Sequence, residues 1–282
     1  MSSKKNIPLP ETFGLPPGGV ETHAHLDFPD FAEDLDDVLD RARAAGVAWF
    51  GNVFLSPEAY RAHQPRLSTI AGMFFTLGIH PHEASTVTPD VLADMAALFA
   101  QNQDQDKDKD KGLRALGEIG LDFYWDRSPR DVQIRAFQEQ LALARELDLP
   151  VIVHSREAEP ETLAILRDLG FRDRPLLWHC FGQGRELAEQ ILADGWHISI
   201  PGPVTFPKST ALREAIPHIP LSRMVLETDC PFLAPHPFRG KRNEPAYLCY
   251  TAQAVADLRG QPIQDIWTAC GDTARAFFKL DE

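Results

Sequence analysis

Seven short, mostly apolar runs punctuate the chain, at residues 48–55, 72–79, 113–119, 150–153, 175–178, 196–200 and 224–226, and with residues 19–24 before them the count of strands reaches eight. A strand with one wet face alternates apolar and polar positions, whereas continuous apolar runs mark strands covered on both faces. The stretches between them have helical periodicity. Ile134, Phe137, Leu141 and Ala144, for example, recur at three- and four-residue steps and form one apolar stripe. Ser128-Pro129-Arg130-Asp131 predicts the start of that helix, with Ser128 as cap, Pro129 at the first helical position and an acid in the first turn. Thr88-Pro89-Asp90 predicts another helix start of the same kind. Strands that alternate with helices pair in parallel through right-handed crossovers. Eight such units predict a TIM-like (β/α)8 barrel forming a single domain over residues 19–282, after an N-terminal extension at 1–18. Residues 101–111, QNQDQDKDKDK, break the pattern: low in complexity and almost free of apolar groups, they predict a flexible insert before the fourth strand, on the face opposite the catalytic rim.

Six chemistry-bearing residues stand at the ends of these runs: His23, His25, Glu118, His154, His179 and Asp229. In a strand, positions i and i+2 point the same way, so His23 and His25 both face the barrel axis and can grip one cation. Any one of the six alone reads as a satisfied polar residue at a strand end. Six at the rim where barrel enzymes build their sites read as a ligand set for two metal ions. A carboxylate has two oxygens and can bridge two cations, whereas an imidazole offers one nitrogen at a time. Glu118 is therefore the expected bridge, with His23, His25 and Asp229 on one side and His154 and His179 on the other. Four neutral imidazoles and two carboxylates leave about +2 of charge on two divalent ions, enough to attract an anion locally. Asp229 is the natural proton acceptor for an attacking water. A histidine-rich set suits zinc, manganese, nickel or iron better than an all-oxygen magnesium cage.

Composition narrows the remaining choices. The 282 residues, 44% hydrophobic and 24% charged, can bury one large core. A net charge of −13 excludes a broad nucleic-acid-binding face, so any polyanion must meet a local positive site. Cys180, Cys230, Cys249 and Cys270 form no Cys-x-x-Cys pair and are expected to be free, buried thiols. No segment reaches 18 consecutive apolar residues and no secretory h-region precedes Gly19, so a cytoplasmic protein without membrane contact is expected. No obligate protein partner is evident.

Seven motifs occur in one order: His23-Ala-His25-Leu-Asp27, Gly78-Ile-His80-Pro-His82, Gly117-Glu-Ile-Gly-Leu-Asp122, His154-Ser-Arg156, His179-Cys-Phe181, Glu227-Thr-Asp229-Cys-Pro231 and Arg239-Gly-Lys-Arg-Asn243-Glu-Pro245. In these the chain, from about Val20 to Phe278, resembles the TatD family of metal-dependent deoxyribonucleases within the amidohydrolase-like barrels. The resemblance implies Mg²⁺- or Mn²⁺-dependent hydrolysis of DNA phosphodiesters, often from the 3′ end, with Zn²⁺, Ni²⁺ or Fe²⁺ as other ions the site can hold. Beyond the ligands, His80, His82, Arg156, Arg239 and Asn243 are expected to contact substrate, as are Lys241 and Arg242. Glu157 is expected either to orient a group in the pocket or to face solvent, and Tyr124 and Trp125 either to stack a base or to cover the barrel mouth. Two readings stay open beside a deoxyribonuclease: a two-metal hydrolase of another ester, amide or lactone bond, and a non-catalytic metal-binding scaffold.

Overall fold

The apolar runs and residues 19–24 become eight parallel strands, β1 Gly19–Ala24, β2 Val47–Phe54, β3 Met73–Leu77, β4 Leu113–Asp122, β5 Val151–Arg156, β6 Leu176–Trp178, β7 His197–Ile200 and β8 Met224–Leu226, hydrogen-bonded in sequence order. The structure, a computed structural model, describes residues 7–104, 112–125 and 127–280. Closure of the barrel runs through β1 and the chain just beyond β8. Ala24 forms a parallel bridge with Cys230, the Asp229 N–H donates to the His23 carbonyl (2.9 Å), and the His25 N–H donates to the Cys230 carbonyl (2.8 Å). The seam that closes the fold therefore also brings three of the predicted ligands together.

Helices α1 Leu35–Ala44, α2 Pro57–Leu67, α3 Pro89–Asp104, α4 Arg130–Glu146, α5 Glu159–Asp168, α6 Arg185–Ala193 and α7 Thr210–Ala215 fill the crossovers. Two more, α8 Leu248–Arg259 and α9 Ile263–Phe278, follow β8. α3 opens as predicted, with Pro89 in its first turn and the Thr88 hydroxyl accepting from the Val91 N–H at 3.3 Å. α4 does not. The Ser128 hydroxyl donates to the His82 carbonyl (2.9 Å) instead of capping, and Pro129 stands just before the first helical residue. The first four residues of the predicted flexible insert, Gln101–Asp104, continue α3, because no Gly or Pro interrupts it and polar residues cost well under 1 kcal/mol each in a helix. The rest of that insert, 105–111, lies outside the described residues.

Inside the barrel the two ends differ in chemistry. Val20, Phe74, Ala115, Ile152, Leu177 and Val225 form an apolar layer, sealed by Phe277, Phe278 and Leu280 from the end of α9 and the residues after it. The other end buries Glu21, His23, Glu118, Asp122, Ser199 and Glu227. β1 shifts register between Glu21 and Ala24, which lets Val20 and His23, an odd number of residues apart, both serve the interior. The N-terminal segment is tied down at both ends: Tyr250 donates to the Pro8 carbonyl and Trp267 to that of Pro16. The four cysteines are free, and all but the partly exposed Cys180 are buried. Among the described residues no helix is long and apolar enough to cross a membrane.

Candidate metal centre

Glu118, 4% exposed on β4, presents its two oxygens to two different groups of imidazoles. Its Oε1 lies 3.5 Å from His23 Nε2 and 3.7 Å from His25 Nε2. Its Oε2 lies 3.2 Å from His154 Nδ1, 3.6 Å from His179 Nε2 and 3.9 Å from His80 Nε2. Asp229 Oδ1, 3.6 Å from His25 Nε2, completes the first group from a left-handed residue (φ 58°), a conformation that Asp tolerates. Two ligand atoms about 2.1 Å from one ion stand about 3.0–3.4 Å apart, so the separations around Glu118 are close to those of a ligand cage. The chemistry of His23 fits the same reading: neither ring nitrogen of this wholly buried residue has a hydrogen-bond partner. A buried imidazole left unpaired is costly, and an ion would take up one lone pair. The combinations able to share an ion include His23, His25 and Glu118; His23, His179 and Asp229; and His80, Glu118 and His154.

Charge states follow from burial and neighbours. Burial alone would raise both Glu118 and Asp229, but the surrounding imidazoles outweigh it and hold both carboxylates ionised, below their ordinary range. Burial lowers His23, helped by His179, and lowers His80 to about 3, so both are neutral donors of a lone pair. His179 is also buried, yet Glu227 and Glu118 push it up to about 10.

The site has a supporting layer that motif reading left without roles. Glu227, with 0% exposure, accepts from His179 Nδ1 (2.8 Å), the Cys180 N–H (2.8 Å) and the Ser199 hydroxyl (2.5 Å). It fixes the ring so that Nε2 faces Glu118. Asp122 does the same on the other side: it accepts from His82 Nε2 (3.0 Å) and from the N–H groups of Tyr124 and Trp125 (both 3.0 Å), and it lies 3.2 Å from His154 Nε2. Glu21, pushed up to about 8 by burial, accepts from the N–H groups of His23 and Thr228 and so links the ends of β1 and β8. The only sequence signal for these residues is their place inside the seven motifs or, for Glu21, two residues before His23 on the same strand.

The expected substrate contacts divide. His80 joins the Glu118 cluster, its ring 4.6 Å from that of His154. His82 is anchored by Asp122. Arg156 is exposed and lies 4.0 Å over the Tyr124 ring; Arg239 lies 4.8 Å over Phe206. Arg242 is held by both oxygens of Asp34, and Lys241 and Glu157 are exposed. Asn243 is not presented to the cluster: it is fully buried, its amide group donates to the Thr228 (2.8 Å) and Phe232 (2.7 Å) carbonyls, and it shapes the loop that carries Asp229.

Comparison with known proteins agrees with this architecture. The family model described as TatD related DNase matches residues 20–279. The chain is 36% identical to the uncharacterized metal-dependent hydrolase YabD of Bacillus subtilis (strain 168), covering 93% of this chain and 99% of that protein. It is also 36% identical to the 3′-5′ ssDNA/RNA exonuclease TatD of Klebsiella pneumoniae (strain 342), over 91% of this chain and 96% of that one. Among solved structures, YJJV, a TatD homolog from Escherichia coli K12, superposes with a TM-score of 0.84 at 28% identity, covering 93% and 98% of the two chains.

Proposed function

The chain belongs to the TatD-related DNase family of metal-dependent hydrolases, and from that premise we propose that it cleaves DNA phosphodiester bonds, releasing nucleotides from the 3′ end of single strands. The observation that supports this reading most is the division of Glu118 between two imidazole groups. A carboxylate so placed suits a pair of divalent ions, Mg²⁺ or Mn²⁺ in activity, with Zn²⁺, Ni²⁺ or Fe²⁺ as alternatives in the same histidine-rich set. In this reading His23, His25 and Asp229 serve one ion and His154 and His179, with His80 beside them, serve the other. Such ions supply charge against the phosphoryl oxygens and lower the pKa of water from 15.7 toward about 7.

The chain's own residues do the rest. Asp229, kept ionised by His25 and His179, accepts the proton of the attacking water through its carboxylate. Glu227 and Asp122 hold His179 and His154 in orientation. In the same reading Arg156, exposed at the end of β5, meets a phosphate beside the scissile one. Incubation of end-labelled oligonucleotides with the protein, with and without chelator, tests the proposal. Stepwise, chelator-sensitive shortening from the 3′ end that Glu118→Ala abolishes is expected; no chelator-sensitive product from the wild type would refute it.

A further inference from the structure

Within the barrel, Tyr124, Trp125, Phe232 and Leu233 are the large apolar side chains exposed by more than a third among the described residues, at 49, 50, 51 and 37%. None is scattered over the helical surface. Tyr124 and Trp125 follow Asp122 and donate their backbone N–H groups to its carboxylate, which also contacts His154. Phe232 and Leu233 follow Asp229, and the Phe232 N–H donates to the Asp229 carbonyl (2.9 Å). The Phe232 ring packs edge-on against Phe28 (6.1 Å) and His25 (6.2 Å), while Phe28 stacks on His25 at 4.8 Å. One aromatic corner thus adjoins the imidazoles facing Glu118 Oε1 and the other adjoins those facing Oε2. Exposed apolar surface confined to the two flanks of a polar site marks a contact for a ligand with apolar faces.

Charge selects among such ligands. In a chain of net charge −13, the Tyr124–Trp125 corner carries two guanidinium groups, Arg156 at 4.0 Å from Tyr124 and 5.6 Å from Trp125, and Arg127 at 5.8 Å from Trp125. An aromatic face edged with cations matches a base next to a phosphate. We infer that the Tyr124–Trp125 and Phe28–Phe232 corners stack the unpaired bases on either side of the scissile phosphate, which makes the site selective for single-stranded ends. A base inside a duplex has both faces covered by its neighbours, and one in the terminal pair is held to its partner, so neither can reach a corner without first being unpaired. The inference rests on the nuclease reading above, and it assigns positioning to residues outside the ligand set.

Equilibrium binding in the presence of chelator separates it from cleavage. Fluorescence anisotropy would compare a labelled single-stranded oligonucleotide with one that lacks the bases of its last two 3′ nucleotides. The wild type is expected to bind the base-bearing strand on the order of ten- to a hundredfold more tightly, the range of one to two stacked bases. Trp125→Ala and Phe232→Ala should each lose a large part of that preference, and Trp125→Phe should keep most of it. Equal binding of the two strands by the wild type, or undiminished preference in both alanine variants, would overturn the inference. If the wild type shows base-dependent binding but cleaves neither strand when metal is restored, stacking stands and the nuclease reading falls. Cleavage without base preference overturns the stacking and leaves the nuclease reading standing.

Discussion

Replacing Glu227 by glutamine changes one oxygen into an amide nitrogen and should weaken metal binding by one to two orders of magnitude. The wild-type carboxylate meets only donors: His179 Nδ1–H, the Cys180 N–H and the Ser199 hydroxyl. The amide has two orientations, and each meets a conflict. With its nitrogen toward His179, Nδ1 has to accept and the ring proton moves to Nε2, the atom 3.6 Å from Glu118 Oε2. A protonated Nε2 has no lone pair for an ion. With its nitrogen toward Cys180, two donors face each other in a site with 0% exposure. A buried unpaired donor costs about 1–3 kcal/mol, or about ten- to a hundredfold in affinity, the range found for partners of metal-binding histidines. Titration calorimetry with Mn²⁺ on chelator-treated protein measures the effect over a pH series, beside urea melts that verify folding, with affinities compared after correction for the proton released, because loss of the Glu227 charge also lowers His179 from about 10 and eases its deprotonation. Affinity within twofold of the wild type would refute the argument that Glu227 sets the His179 tautomer.

Three further outcomes are expected. The proton that Glu227 and Glu118 hold on His179 up to about pH 10 stabilises the folded chain fully below about 6.5. That stabilisation is lost as pH rises toward 10. The same proton must leave before Nε2 binds an ion, so Mn²⁺ affinity should climb about tenfold per pH unit while the urea midpoint after chelation falls; a flat affinity profile would count against it. Glu21, protonated up to about 8, loses stability in the same direction above 4.5, so the melts are best compared in a Glu21→Gln background. Asp122→Ala removes the acceptor of one imidazole and two backbone N–H groups and should cost about 3–5 kcal/mol; a urea-derived loss below about 1 kcal/mol would contradict that role. Gly120 has φ 147°, and a Cβ there would lie 1.9 Å from the His154 carbonyl oxygen. Gly120→Ala should therefore push β4 from β5 and separate Glu118 from His154, visible as loss of metal binding and a lower Tm; wild-type values of both would contradict it.

The strands and the polar cluster around Glu118 were legible because both depend on one-dimensional signals. Apolar runs located seven strands and the half-polar Gly19–Ala24 completed the count, and the other five predicted residues gather around Glu118 because parallel strands deliver their C-terminal halves to one rim. Side-chain direction is not such a signal. His80 looked like a substrate contact in a loop, yet its ring turns into the Glu118 cluster. Asn243 sits in a polar run that reads as exposed, while the loop it shapes buries it. Asp122 and Glu227 share motifs with predicted ligands, and only the fold shows that their partners are imidazole nitrogens and backbone N–H groups. Ser128 has the composition of a helix cap, but the His82 carbonyl, 46 residues earlier, takes its proton. Arg242, a cation among cations in sequence, is occupied by Asp34, the residue before α1.

Metal content per chain tests the bridging role of Glu118 most directly. After loading with Mn²⁺ and removal of excess, elemental analysis should give two ions per wild-type chain and at most one, weakly held, in Glu118→Ala, with matched melting curves excluding a folding defect. One ion in the wild type, or two retained by Glu118→Ala, would contradict it.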